Sequence, residues 1–427
     1  MTAPLSASPA PPSVSGASLP ASPAPLSSSA APWTCPFCPL LCDTFDIAVQ
    51  ADGRLRLAGS DCPRAQQALS RFGATPVALP RVRGRDCSLD EAVGAAARLL
   101  AASRQPLFGG LGTDVAGARA LYALACASGA ICDAAAGVPL MQATRALQDR
   151  GGFGTSLAEV RSRADLVLCL GRRPAAQYPE FAARTGLATD DPRWLVLGEG
   201  LAACDWFAPV ARLAALVDGR AVEGAPPDLQ AAAQRLQAAR YSVIVIETAT
   251  LGPQGALLIE MLQRVVATLN RSTRAAVLSV GGADGAATVN GVFTWLSGLP
   301  LRTRLGPQGL DHDPLAFDAT RLVADGAVDL LLWLASFGTE APEPAPARAA
   351  ASALPRIVVG HPALAGQTAG PADVFIPVAT PGIGHAGHLF RTDGVVMMPL
   401  HAARPTALPR ADEVLRRMLA ALKDTAA

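Results

Sequence analysis

At 427 residues the chain is long enough for about two to three domains of ordinary size, and 36 Lys and Arg against 35 Asp and Glu leave a formal net charge of +1. That balance excludes a partner recruited by an overall basic or acidic field, so neither nucleic acid nor an anionic membrane surface is expected. No apolar run reaches the ~18 residues that cross a bilayer unbroken, which predicts a soluble protein.

The first 32 residues carry no charged side chain and are almost wholly Ala, Pro, Ser, Leu, Thr, Gly and Val. Without a basic n-region or a twin arginine, 1–32 reads as a disordered leader rather than a signal peptide. Then Cys35, Cys38, Cys42 and Cys62 follow at C-x2-C-x3-C-x19-C. Four thiols converging on one short loop read as a metal or iron–sulfur site. A [4Fe–4S] cluster needs one thiolate per iron and takes several of them from such a loop. Zinc also takes four thiolates, and packing without metal is the third reading. Pro36 and Pro39 each follow a cysteine and remove an amide donor from the loop. The other cysteines are scattered over a long chain, unlike a secreted disulfide framework, so a reducing cytoplasm is expected.

Thr44–Gln50 alternates, Ala51–Arg54 supplies a turn and Leu55–Leu57 resumes the alternation, which predicts a β-hairpin. With the helix start at Cys62-Pro63, this makes 33–80 a small four-cysteine β lobe. Ser88-Leu-Asp-Glu91 is a capping box opening a helix to about Ser103. Continuous apolar runs follow at Leu107–Gly112, Asp165–Gly171, Trp194–Leu197 and Tyr241–Ile246, then at Ala276–Val280, Val328–Ala335, Arg356–Val359 and Val374–Val378. Such runs, separated by helix-length intervals, are expected of parallel strands covered on both faces. The fold class is therefore α/β, with doubly wound, mostly parallel sheets in two domains. The turn-rich stretch Gly219–Pro227 places the boundary, giving domains at 81–215 and 216–380 and a C-terminal cleft segment and helix at 381–427. The proline-rich stretch 340–348 reads as a surface connection.

Taken with the cysteine ladder, several segments in order resemble the B subunit of formylmethanofuran dehydrogenase, within the molybdenum- or tungsten-pterin oxidoreductases. They are Leu157–Leu168 with Gly171 and Pro174, Gly291–Gly298, Asp373–Gly384 and Phe390–Val395. The resemblance runs from Cys35 to about Met398. It implies a [4Fe–4S] cluster on the four cysteines, a bis-pterin metal cofactor between the α/β domains and Cys132 as the cofactor metal's ligand. Two departures stand out. The family has a histidine after that cysteine where this chain has Asp133, and it has an arginine where this chain has Ser279–Gly285. A carboxylate of ordinary pKa ~4 would repel formate, so Cys132 and Asp133 read as relics and the molybdopterin or tungstopterin is expected to be lost.

Such erosion fits the bacterial formyltransferase/hydrolase complexes of this family. There, the resemblance implies, formyl groups pass from tetrahydromethanopterin to methylofuran and formate is released by hydrolysis, which needs no electrons. The expectation is the B subunit of such a complex, a non-redox scaffold partnered by an amidohydrolase-like subunit, a formyltransferase subunit and a further subunit, with methylofuran bound by the complex. An active pterin-dependent dehydrogenase component and a zinc-stabilised α/β binding protein are the alternatives.

Four further features carry weaker signals. His385 and His388 stand at H-x2-H and read as loop histidines. Gly109–Gly112 and Gly281–Gly285 follow strands without completing a nucleotide motif and read as strand-end turns. Arg161, Arg163, Arg172 and Arg173 flank one strand as a basic patch or a solvated face. Cys87, Cys126, Cys169 and Cys204 lie in or beside apolar segments and read as core.

Overall fold

The computed structural model describes residues 32–73, 78–135, 137–200, 203–282, 284–338, 354–367, 370, 373–404 and 406–426. The leader up to residue 31, the proline-rich stretch 340–348 and the Cys204 side chain lie outside the described residues. Among the described residues no helix is long and apolar enough to cross a membrane.

Two sheets organise the chain. In the larger, five parallel strands run in the order Ile131–Cys132, Pro106–Gly112, Leu330–Ala335, Arg356–Gly360 and Asp373–Pro377. Antiparallel hairpins close both edges: Thr303–Gly306 with Gly309–His312 beyond Ile131–Cys132, and Arg81–Val82 with Arg85–Asp86 beyond Asp373–Pro377. The smaller sheet is all parallel, in the order Arg274–Val280, Tyr241–Glu247, Leu166–Leu170, Trp194–Leu197.

Period-two alternation decides which core each strand serves. Phe108, Leu330, Leu332, Ile357 and Val374 face one cluster with the helices Leu89–Ala102, Val115–Ser128 and Ala286–Ser297, whereas Leu107, Leu331 and Val358 face the opposite side. In the smaller sheet Leu168, Ile244 and Val277 pack under Phe207–Val217, Pro227–Ala238 and Gly255–Leu269, and Cys169, Val243 and Leu278 face the cysteine loop. The mixed α/β class with parallel sheets therefore holds. The Leu89–Ala102 helix opens as its sequence dictates, with Ser88 N donating to Glu91 Oε2 at 2.8 Å and Glu91 N donating to Ser88 Oγ at 3.2 Å.

The division at 215/216 does not. Strands on both sides of that point, Leu166–Leu170 and Tyr241–Glu247, are hydrogen-bonded neighbours, and the larger sheet takes its strands from 81–132 and from 303–377. The smaller sheet is inserted into the larger, and Gly219–Pro227 merely joins two helices on its outer face. The segment 381–427 also divides. Its helix Ala411–Ala426 buries Val414, Leu415 and Met418 in the larger core, while Gly387–Phe390 and Met397–Leu400 form a hairpin whose Leu389, Met398 and Leu400 cover Leu41 of the cysteine loop. The hairpin Asp46–Val49 with Leu55–Ala58 is present as expected. Its Leu55 and Leu57 share one hydrophobic cluster with the cysteines and the smaller sheet.

Candidate functional site

The cysteine loop is wrapped from every side. Trp33, Cys35, Phe37, Leu40, Leu41, Cys42 and Cys62 are all buried. Cys35 N donates to Cys42 O at 2.9 Å, and Leu41, at φ +45°, turns the chain between them. Trp33 Nε1 donates to Gly382 O at 2.7 Å, and Thr392 N donates to Pro39 O at 2.8 Å, so the loop is tethered to the hairpin region 382–392. The prolines do not strip the sulfurs of donors. The amide of Phe37 serves Cys35 and that of Leu40 serves Cys38, each two residues on, where Pro36 and Pro39 leave the next-but-one N–H free to point inward.

Burial pushes the Cys35 thiol far above its usual range, Cys38 up to about 11 and Cys42 up to about 12, with the neighbouring thiols adding to the rise on all three. Arg64 beside Cys38 and Arg184 beside Cys42 work in the opposite sense. A bound cation would invert this balance, since a coordinating thiol gives up its proton. Four buried thiols, two of them with amide donors, match a four-thiolate group in donor chemistry. Among the described residues, however, no three His, Cys, Asp or Glu side chains are drawn together to hold an ion.

Cys132 and Asp133 end the short strand beside Pro106–Gly112, Cys132 being completely buried and its thiol driven well up by burial. Asp133 is buried as well. Its Oδ2 accepts from Arg302 Nε at 3.2 Å and from Ala319 N at 2.9 Å. Arg302, 5% exposed and held at φ +60°, also donates to Asp318 Oδ2 and to Pro314 O, both at 2.5 Å. Its own backbone N–H donates to Cys132 O at 2.8 Å. The carboxylate expected at its ordinary pKa is instead buried and paired with an arginine that it shares with Asp318. Burial still raises the Asp133 carboxyl to about 6 against the pull of Arg302. No local motif marks Arg302 in the sequence, so nothing there signals the pairing.

The two glycine-rich turns meet one another. A Cβ on Gly285 would lie 2.4 Å from Thr113 O, and one on Gly112 would lie 3.0 Å from Asp284 O. Leu111 at φ +59° and Asp284 at φ +57° share the left-handed region with Gly110 and Gly285. These turns end strands of different sheets, at the carboxyl ends where α/β proteins commonly bind ligands. Here backbone packs on backbone. Thr113 Oγ1 and Ser336 Oγ are buried beside that contact without a hydrogen-bond partner.

The Asp393 side chain is buried, accepts from Arg391 Nη2 at 2.6 Å and from Leu157 N at 3.2 Å, and so fastens the hairpin to the smaller-sheet unit. His385 Nδ1 bonds Ala386 O at 2.7 Å while His388 is exposed, so the two histidines do not converge. The four arginines form no single patch. Arg172 pairs with Glu247 at 2.8 Å and Arg173 lies over the Trp194 ring after the strand Leu166–Leu170, whereas Arg161 and Arg163 sit on the helix that precedes it. Of the scattered cysteines Cys169 is core, Cys87 is half-buried and Cys126 is exposed.

No family model matches the chain. It is 34% identical over 363 residues to the B subunit of the formyltransferase/hydrolase complex Fhc from Methylorubrum extorquens, a match covering 80% of this chain and 96% of that protein. The chain belongs to the Fhc B-subunit family. A more distant relative is the B subunit of the tungsten-containing formylmethanofuran dehydrogenase 2 of Methanocaldococcus jannaschii, 24% identical over 401 residues, covering 84% of this chain and 91% of that one. Among solved structures, the formyltransferase/hydrolase complex FhcABCD of Methylorubrum extorquens with methylofuran matches at a TM-score of 0.70 and 30% identity, over 81% of this chain and 99% of that chain. The sequence relative and the solved structure thus come from the same Fhc complex.

Proposed function

We propose that the chain serves as the B subunit of a formyltransferase/hydrolase complex of methylofuran-linked one-carbon metabolism, and that its part there is structural rather than redox. The observation that carries this reading is the Asp133–Arg302 ion pair, with both side chains buried where the family resemblance places the metal-ligating cysteine and its histidine neighbour. A buried charge persists in a core when a partner and hydrogen bonds compensate it. Asp133 has both at Oδ2, which tie it to Ala319 and to Arg302 beside the edge hairpin, while its Oδ1 is buried without a hydrogen-bond partner. The close approach of the turns at Thr113 and Gly285, which brings backbone against backbone at the carboxyl ends of the strands, supports the same reading.

In this reading the four-cysteine loop is a structural clamp between residues 33–42 and the 382–392 segment. The amide donors to Cys35 and Cys38 favour a second possibility for it, a [4Fe–4S] cluster or zinc ion retained for stability. Free thiols at all eight cysteines with described side chains suit a reducing cytoplasm.

Co-expression with its companion subunits tests the proposal. The expected result is a stable complex with formyl-hydrolysing activity, no stoichiometric pterin and no formate-dependent dye reduction. Stoichiometric molybdopterin or tungstopterin with dye reduction overturns it. Iron, acid-labile sulfide and zinc analysis after anaerobic purification decides the occupant of the cysteine loop.

A further inference from the structure

Five arginines border two adjoining surface grooves on the smaller-sheet unit. The first, of about 430 Å³, is lined by Arg240, Arg271 and Arg274 with Asn270, Ser272 and Thr273. The second, of about 470 Å³, shares Arg271 and adds Arg220 and Arg264 over a small apolar floor that includes Met261 and Ala214. Asp218 is the one carboxylate in either lining, and it lies between two of the arginines, its Oδ1 3.1 Å from Arg271 and its Oδ2 3.0 Å from Arg220. In a chain of net charge +1 this is a local concentration of cations.

The cationic edge is preorganised. Asn270 closes the 271–274 turn by donating to Ala275 O and accepting from Ala275 N, both at 2.9 Å. Arg274 N donates to Arg240 O at 3.1 Å, setting the two arginines at the amino ends of neighbouring strands. The Arg240 side chain is 95% exposed, with Asp165 3.9 Å away, and those of Arg220 and Arg271 are 73% exposed beside Asp218, so the donors turned away from these two carboxylates remain open to an incoming group.

We infer that these grooves dock an acidic peptide segment of a companion subunit, an inference that rests on the complex membership proposed above. Charge complementarity and side-chain chemistry select that occupant. Guanidinium forks match carboxylates bidentately. No aromatic side chain lines either groove to stack a base. The apolar floor of the second groove suits the residues between carboxylates. The site lies at the amino ends of the strands, away from the turns at Thr113 and Gly285, so its role is docking and not chemistry.

The test uses the full chain and the co-expressed complex. Arg271→Glu/Arg274→Glu is expected to leave thermal unfolding of the chain unchanged and to weaken assembly at low salt by about tenfold or more, with a flattened salt dependence. A fluorescent peptide of alternating Glu and Ala is expected to bind the wild-type full chain at low salt, lose affinity at high salt and lose it again in the variant. Unchanged assembly and peptide binding in the variant overturn the inference, as does tighter binding of a single-stranded oligonucleotide than of the peptide. Failure of the wild-type chain to assemble counts against the proposed function instead, and the peptide measurement then decides the groove by itself.

Discussion

Arg302 Nε lies 3.2 Å from Asp133 Oδ2, joining two buried side chains 169 residues apart in sequence. The pair fastens the Ile131–Cys132 edge of the larger sheet to the hairpin that caps it, and Asp318 adds a second carboxylate to the same guanidinium. Removing one member of a buried pair strands the other charge, so Arg302→Met is expected to cost about 3–5 kcal/mol. Asp133→Asn/Arg302→Met together should cost less than the sum of the single changes. Denaturant titration of the full chain, both singles and the double variant measures the coupling, and strictly additive losses would refute it.

The contact between the two glycine-rich turns predicts a contrast between two glycines of similar backbone. Gly285 (φ +83°) would place a Cβ 2.4 Å from Thr113 O, whereas Gly298 (φ +78°) has open space. Gly298→Ala should therefore cost only the left-handed backbone term of ~1–2 kcal/mol. Gly285→Ala must in addition push the two sheets apart at that point and should cost at least ~3 kcal/mol. Equal melting temperatures for the two variants would refute the close approach.

His361 predicts a pH dependence. Buried and set edge-on to Phe72 at 4.9 Å between centroids, it accepts from Ala363 N at Nδ1, and burial together with Arg71 lowers it to about 4. Above the ordinary histidine pKa of ~6.5 the ring is neutral in both states and contributes no slope. Between ~6.5 and about 4 only the unfolded chain takes up the proton, so stability falls as the solution is acidified and levels off below that window. The loss amounts to roughly 3 kcal/mol. In His361→Gln the stability curve should be flatter by up to one proton over this range, as denaturation at a series of pH values would reveal.

Trp33→Phe tests the tether of the cysteine loop. The change keeps an aromatic ring but deletes the 2.7 Å bond from Nε1 to Gly382 O. A loss of about 1 kcal/mol is expected, with faster amide exchange confined to residues 33–42 and 382–385. Exchange unchanged there would mean that packing alone holds the loop.

Much of the fold was legible because it is written in neighbouring residues. The Ser88–Glu91 capping box, the hairpin turn at Ala51–Arg54 and the apolar strand runs each depend on spacings of a few positions, and the structure contains all of them. Which strands share a sheet was not legible, because a crossover from Cys132 to Thr303 and back leaves no mark on local periodicity; the turn-rich Gly219–Pro227 looked like a boundary and is only a link between helices. The same distinction governs the site. Sequence by itself determined that an aspartate follows Cys132. Only the tertiary structure decided what that carboxylate meets, since the guanidinium that pairs with it arrives from beside a distant hairpin and both side chains are buried there.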